Sequence, residues 1–220
     1  MTAEDVGNQW LAQALHEVDA VQFGDFTMGR TTINSPVYVN LRKLVSNPRA
    51  LARAARVMQE KVQTLQSMRH PQVQPFDRVC GIPFGGLHLA TAFSLRSTTP
   101  MIYVHPAKER NGSRVFVEGV YEPGEHVLLI DDLVTTGGGI VETAEFLRTN
   151  AGLLVRDVLV LVDRQEGARE RLKARGYNLI SILGLEAMLN YLMASEKIDE
   201  QWYRKSIDYL QQRRSERGVE

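Results

Sequence analysis

One segment restricts the fold more than any other. It reads Val127-Leu128-Leu129-Ile130-Asp131-Asp132-Leu133-Val134-Thr135-Thr136-Gly137-Gly138-Gly139 and runs into a helical pattern from Ile140 to Arg148. The unbroken apolar run from Val127 to Ile130 predicts a strand buried on both faces, as in a parallel sheet covered by helices. Such a strand ends at the rim where open α/β sheets bind their ligands. Here it delivers Asp131 and Asp132, then the hydroxyls of Thr135 and Thr136, then Gly137, Gly138 and Gly139 at the start of a helix. Glycines let backbone N–H groups close around an anion, and the helix dipole favours a phosphate at that end. Adjacent carboxylates would repel a bare anion. The segment therefore suits a ligand with hydroxyls on one side and phosphate on the other, a phosphorylated sugar whose vicinal hydroxyls donate to Asp131 and Asp132. A strand-end cap followed by a flexible turn is the plainer reading, and it accounts less well for the order of the features. No Gly-Lys-Ser/Thr follows and there is no Gly-x-Gly-x-x-Gly, so the loop is neither a Walker A loop nor a dinucleotide fingerprint.

The rest of the chain agrees with an α/β fold. Continuous apolar runs at Arg78–Ile82, Met101–Val104, Val158–Val162 and Leu179–Leu183 predict further strands. Helical spacing lies between them, through Ala90, Phe93 and Leu95, through Val141, Ala144 and Leu147, and through Ala168, Leu172 and Arg175. This alternation predicts a mainly parallel central sheet flanked by helices. Asn47-Pro48 reads as an N-cap and first-turn proline, opening a helix through Leu51, Ala55, Met58 and Val62 toward Met68. Leu185–Ala194 and Asp199–Leu210 predict two closing helices, with Asp199 as a cap, and residues 213–220 are expected to fray. The expected organisation is a single domain over 1–220: a small N-terminal hood to about 45, an α/β core over about 46–185, and closing helices over about 186–212.

Lys+Arg and Asp+Glu both total 26, so bulk attraction to nucleic acid or to an anionic membrane is not expected. The single cysteine, Cys80, excludes an internal disulfide and reads as a buried thiol in an apolar strand. His16 and His70 have no clustered partners, so no histidine metal site is expected; His88 reads as a surface or packing histidine rather than a catalytic one, and Trp10 and Trp202 as packing residues. The start, Met1 to Asp5, is acidic and polar, and no apolar run approaches the roughly 20 residues that span a bilayer. A cytoplasmic protein is expected.

The segment around Asp131 resembles the PRPP-binding motif of the type I phosphoribosyltransferases. Other segments narrow the resemblance to the orotate enzymes, including the transferase half of UMP synthases. Phe23-Gly24-Asp25-Phe26-Thr27 with Ser35-Pro36-Val37-Tyr38-Val39-Asn40-Leu41-Arg42 is similar to that family's N-terminal signature. Asp77 to Gly86 is similar to its pyrophosphate loop, and Val117-Glu118-Gly119 and Leu161 to Ala168 to two further segments. The resemblance implies the phosphoribosyltransferase fold and the conversion of orotate and PRPP to orotidine 5′-monophosphate and pyrophosphate, in pyrimidine (UMP) synthesis. It implies that Asp131 and Asp132 hold the ribose hydroxyls, that Leu133 to Gly139 wrap the 5-phosphate, and that Phe84 and Gly85 meet pyrophosphate. Tyr38 and Val39 would line the base pocket, Arg164 and Arg30 would reach orotate, and His105 would meet PRPP. For Arg164 a salt bridge to Asp163 or Glu166 is the competing reading. The resemblance further implies Mg²⁺, bound mainly through PRPP, no protein-built metal site, and a homodimer whose mobile loop closes over the neighbouring site.

The chain departs from the family at that loop. Where the family carries roughly Arg-Lys-Glu-x-Lys-x-His/Tyr-Gly, this chain has His105-Pro106-Ala107-Lys108-Glu109-Arg110-Asn111-Gly112. Lys108 and Arg110 flank the missing lysine position, and the polar run from Lys108 to Arg114 reads either as a mobile loop with Gly112 as its hinge or as a simple solvated turn. The family's Leu-Lys-Ser-Gly is likewise replaced by Met28-Gly29-Arg30-Thr31-Thr32-Ile33-Asn34, with Arg30 as the cation that could substitute. Cations at such a site stabilise the charge on departing pyrophosphate. Three readings stay open: an active orotate enzyme using Lys108, Arg110 and Arg30; a transferase for another base; and a PRPP- or nucleotide-binding homologue with a regulatory role.

Overall fold

The computed structural model describes residues 8–28, 32–109 and 112–216. The described chain enters through α1 (Gln9–Glu17) and an antiparallel hairpin, β1 (Val21–Met28) and β2 (Thr32–Val39), followed by a 3-10 turn over Leu41–Ser46. Next comes α2 (Pro48–Gln66), opened as its sequence predicts, with the Asn47 side chain accepting the Ala50 N–H at 3.1 Å. The core then alternates: β3 (Arg78–Gly81), α3 (Gly85–Ser97), β4 (Met101–Glu109), β5 (Gly112–Glu118), β6 (His126–Val134), α4 (Gly138–Ala151), β7 (Leu154–Asp163), α5 (Ala168–Lys173) and β8 (Asn178–Gly184). The helices α6 (Leu185–Ala194) and α7 (Glu200–Glu216) close the described chain.

Among the described residues six strands form one sheet in the order β5-β4-β3-β6-β7-β8, parallel except where β5 returns against β4. The central strands are buried on both faces, and alternate residues feed opposite layers. Leu128, Ile130, Leu159 and Leu161 pack with α1, α2, α3 and α6. Val127, Leu129, Val158 and Val160 pack with α4 and α5. Cys80 is buried in this second layer, and burial pushes its thiol pKa up to about 12.

The order of the strands decides where a ligand fits. From β3 the chain crosses to β4 on one side, and from β6 it crosses to β7 on the other. That reversal leaves a crevice beyond the carboxyl ends of β3 and β6, because the two connections diverge. The helix α3 presses against β6 there. A side chain at Gly86 would lie 2.3 Å from the Ile130 carbonyl, so only glycine permits the approach.

Several expectations need correction. The flanks of the run from Lys108 to Arg114 are strand, which the sequence does not suggest: β4 continues to Glu109 and pairs Lys108 with Ser113 and Glu109 with Gly112. Its polarity is compatible with a strand because β5 is the sheet's edge, where charged residues are common. Residues 213–216 do not fray. The helix α7 reaches Glu216, and Arg214 donates to Glu186 at 2.7 Å and to the Gln165 carbonyl at 3.3 Å. The helix begun at Ala168 ends at Lys173, before Arg175, because the Tyr177 N–H turns back to the Leu172 carbonyl.

Candidate functional site

The crevice at the strand reversal is an open cleft of about 330 Å³. Three separate parts of the chain line it: Tyr38 to Arg42 at and just beyond the end of β2, Pro83 to Gly85 after β3, and Asp131 to Leu133 at the end of β6. Tyr38, Val39, Phe84, Gly85, Asp131, Asp132 and Leu133, far apart in sequence, are thus brought together.

Asp131 and Asp132 sit half-buried at the rim. Asp131 accepts the Asp132 N–H and Asp132 accepts the Leu133 N–H, both at 2.8 Å. Burial, and then the charge of Asp132, hold the Asp131 carboxyl well above the usual carboxylate range. Burial also raises Asp132, against the opposing pull of its hydrogen bonds and of the Arg42 guanidinium. The pair therefore retains a proton at a pH where a solvated aspartate has lost it. Across the cleft Gly85 makes room for Asp132: a side chain there would lie 2.1 Å from Oδ2.

Beyond Asp132 the side chain of Val134 turns into the core, while its carbonyl accepts the Arg164 N–H at 2.9 Å. Thr135 and Thr136 are half-buried, and Gly137 takes φ +74°, the left-handed turn that starts α4. Among the described residues no side chain caps α4, so its first N–H groups are open to an anion. Among the described residues nothing lies within 4 Å of the position a Gly139 side chain would take, which leaves space for a phosphate. The guanidinium of Arg171 on α5 comes to 3.8 Å of the corresponding position at Gly138 and adds positive charge.

Arg164 is buried among protein partners, at 2% exposure. It pairs with Glu166 at 2.7 Å and donates to Ser35 Oγ at 3.1 Å and to the Val37 carbonyl at 3.5 Å, which ties the N-terminal hairpin to the sheet. Of the two salt bridges considered, Glu166 is the partner; Asp163 instead accepts the Gln165 N–H at 2.7 Å. His105 is exposed on β4 opposite Phe116 and does not line the cleft. Arg30, Arg110 and the Lys108 side chain lie outside the described residues. The sequence reading missed Arg42 as a cleft residue, although it ends the Ser35–Arg42 segment, and it missed Arg171 altogether.

A sheet reversed between β3 and β6, with an acidic pair, a glycine turn and a helix start at the crevice, has the architecture of the type I phosphoribosyltransferases. Comparison with protein-family models finds no match. The orotate phosphoribosyltransferase of Caenorhabditis elegans is 35% identical over 89% of this chain and 82% of its own length. The uridine 5′-monophosphate synthase of Bos taurus is 34% identical over 96% of this chain, which spans 42% of that longer protein. The crystal structure of orotate phosphoribosyltransferase from Aeropyrum pernix superposes with a TM-score of 0.72 at 34% identity, covering 84% of this chain and 98% of that one. The chain belongs to the orotate phosphoribosyltransferase family.

Proposed function

We propose that the protein transfers the 5-phosphoribosyl group of PRPP to orotate, yielding orotidine 5′-monophosphate and pyrophosphate in pyrimidine synthesis. The observation that carries this reading is the acidic pair Asp131–Asp132 facing the cleft directly ahead of an uncapped, glycine-started helix. The ribose hydroxyls donate to the two carboxylates and the 5-phosphate lies against the N–H groups of Gly137 to Gly139. Phe84 and Gly85 flank the pyrophosphate. Tyr38, whose ring meets that of Phe26 at 5.5 Å and a 39° tilt, and Val39 form the wall for the base, with Arg164 donating to the Val37 carbonyl beside them. As the ribose C1–O bond breaks, its electron pair stays on pyrophosphate. The N1 lone pair of orotate closes the new C1–N bond, and the N1 proton leaves with the pyrophosphate.

Among the described residues no cluster of three or more acidic, histidine or cysteine side chains could hold a metal ion. Two hard carboxylate oxygens at the cleft do suit Mg²⁺ held chiefly by PRPP. When bound it neutralises the diphosphate, and Asp131 and Asp132 orient the hydroxyls beside it. The family resemblance supports a homodimer and a cytoplasmic location.

Loss of orotate absorbance with Mg²⁺, PRPP and orotate tests the reading directly. A second reading, PRPP binding without turnover, is favoured by His105, Pro106 and Glu109, which stand where the family carries cations or a different charge pattern. Tight PRPP binding with no loss of orotate would select it.

A further inference from the structure

We infer that Arg42 is the cation that meets the pyrophosphate of PRPP, supplied by the N-terminal hood of the same chain; the inference rests on the function proposed above. Among the described residues Arg42 is the one cationic side chain lining the cleft, where it shares the walls with Phe84, Gly85, Asp131 and Asp132. It lies near enough to Asp132 to lower that carboxyl's pKa, yet forms no ion pair among the described residues. Its described contacts are to neutral oxygens: Nε donates to Asn40 Oδ1 at 3.2 Å, and Nη2 reaches Tyr38 Oη at 3.5 Å. A guanidinium carries five N–H donors, so most of its fork remains available to phosphate oxygens, for which its planar geometry is suited.

The backbone under Arg42 is anchored. Its neighbours Leu41 and Leu44 are 4% and 2% exposed, and Lys43 pairs with Asp19 at 2.9 Å. The α3 N-terminus lies across the cleft with no side-chain cap at Phe84, so the helix dipole and the guanidinium bracket one anionic position. This position is also where a cation is needed. Two carboxylates occupy one side of the cleft, and negative charge grows on the leaving group as the C1–O bond lengthens. A preorganised cation there stabilises the transition state more than the bound substrate. His105, Pro106 and Glu109 stand where the family resemblance implies cations, so the charge of the pyrophosphate falls the more on Arg42, at the end of the Ser35–Arg42 segment.

The test compares the full chain with Arg42→Gln and Arg42→Lys, using calorimetry with Mg²⁺ for pyrophosphate, PRPP and orotidine 5′-monophosphate, together with turnover. Arg42→Gln is expected to weaken pyrophosphate and PRPP binding by about 10- to 100-fold and to lower kcat/KM by about 100-fold. Affinity for orotidine 5′-monophosphate, which has no pyrophosphate, should stay within about twofold because the nucleotide makes none of the charge-assisted bonds at issue. Arg42→Lys should recover part of the loss, and serves for the measurement if the glutamine variant does not fold. Unchanged pyrophosphate affinity overturns the inference, as does an equal loss for orotidine 5′-monophosphate, which would put Arg42 on the base. A parent protein that binds pyrophosphate and PRPP but does not consume orotate removes the proposed reaction while leaving the Arg42 comparison intact. A parent that binds neither overturns both.

Discussion

Replacing Gly85 by alanine isolates the position of one carboxylate from the stability of the fold. The added methyl would lie 2.1 Å from Asp132 Oδ2, 2.2 Å from its Cγ and 2.5 Å from Oδ1, whereas such carbons do not approach closer than 3.0 Å. The Oδ2 atom must therefore retreat by about 0.9 Å, from 2.1 to 3.0 Å. Asp132 is half-buried at an open cleft, so it can move without disturbing the core, and the loss of stability should stay below about 1 kcal/mol. A displacement of about 1 Å in a positioning group costs on the order of 100-fold in rate, equivalent to about 2.7 kcal/mol in the barrier. The assay is PRPP affinity and kcat/KM for Gly85→Ala beside a thermal melt. Gly86→Ala is the contrast, because its methyl would meet the Ile130 carbonyl at 2.3 Å in the backbone of β6, which cannot move aside. That variant should lose its fold before its chemistry can be measured. If Gly85→Ala binds PRPP as the parent does, Asp132 does not hold the ribose. If it melts as early as Gly86→Ala, the contact is structural.

Three other perturbations read different parts of the molecule. Asp131 has a folded pKa raised above its unfolded value, so its ionisation opposes folding from about the unfolded pKa of 3.8 upward. Asp131→Asn should therefore raise the melting temperature at pH 7 to 8, by about 2–4 °C per kcal/mol relieved, and leave it unchanged below that pKa, while PRPP binding falls. A lower melting temperature at neutral pH would refute the buried, proton-retaining pair, and in the parent PRPP binding should weaken as pH falls through the raised range. Arg164→Ala leaves Glu166 buried without its 2.7 Å partner and should lower unfolding free energy by about 3 kcal/mol. Adding Glu166→Leu to Arg164→Met should recover most of it in chemical denaturation; equal losses would refute the pair as the cause. Arg171→Ala, at the exposed end of the glycine turn, should raise KM for PRPP by about two- to fivefold, an effect that fades at high salt.

Much of this protein is legible in its sequence because the determinants are local. Unbroken apolar runs such as Val127–Ile130 and Val158–Val162 can be satisfied only by burial on both faces, so the parallel sheet follows from them. The Asn47-Pro48 start of α2 acts within one turn, and the order of acids, hydroxyls and glycines from Asp131 to Gly139 carries its own chemistry. Other features depend on contacts between distant segments. The strands β1, β2 and β5 carry weak alternation, and their pairing partners complete them. The last turn of α7 is held by Glu186 and Gln165, which lie 28 and 49 residues away in sequence. The joining of Arg164 to Ser35 and Val37 spans more than a hundred residues, and no spacing rule anticipates it. The same holds for Arg42: in sequence it only ends the Ser35–Arg42 segment, and its place beside Asp132 exists only once that segment folds against the reversed sheet. Local patterns set which elements form and which residues carry the chemistry, whereas the charge balance of the cleft arises from long-range packing that brings Tyr38 to Arg42 against the ends of β3 and β6.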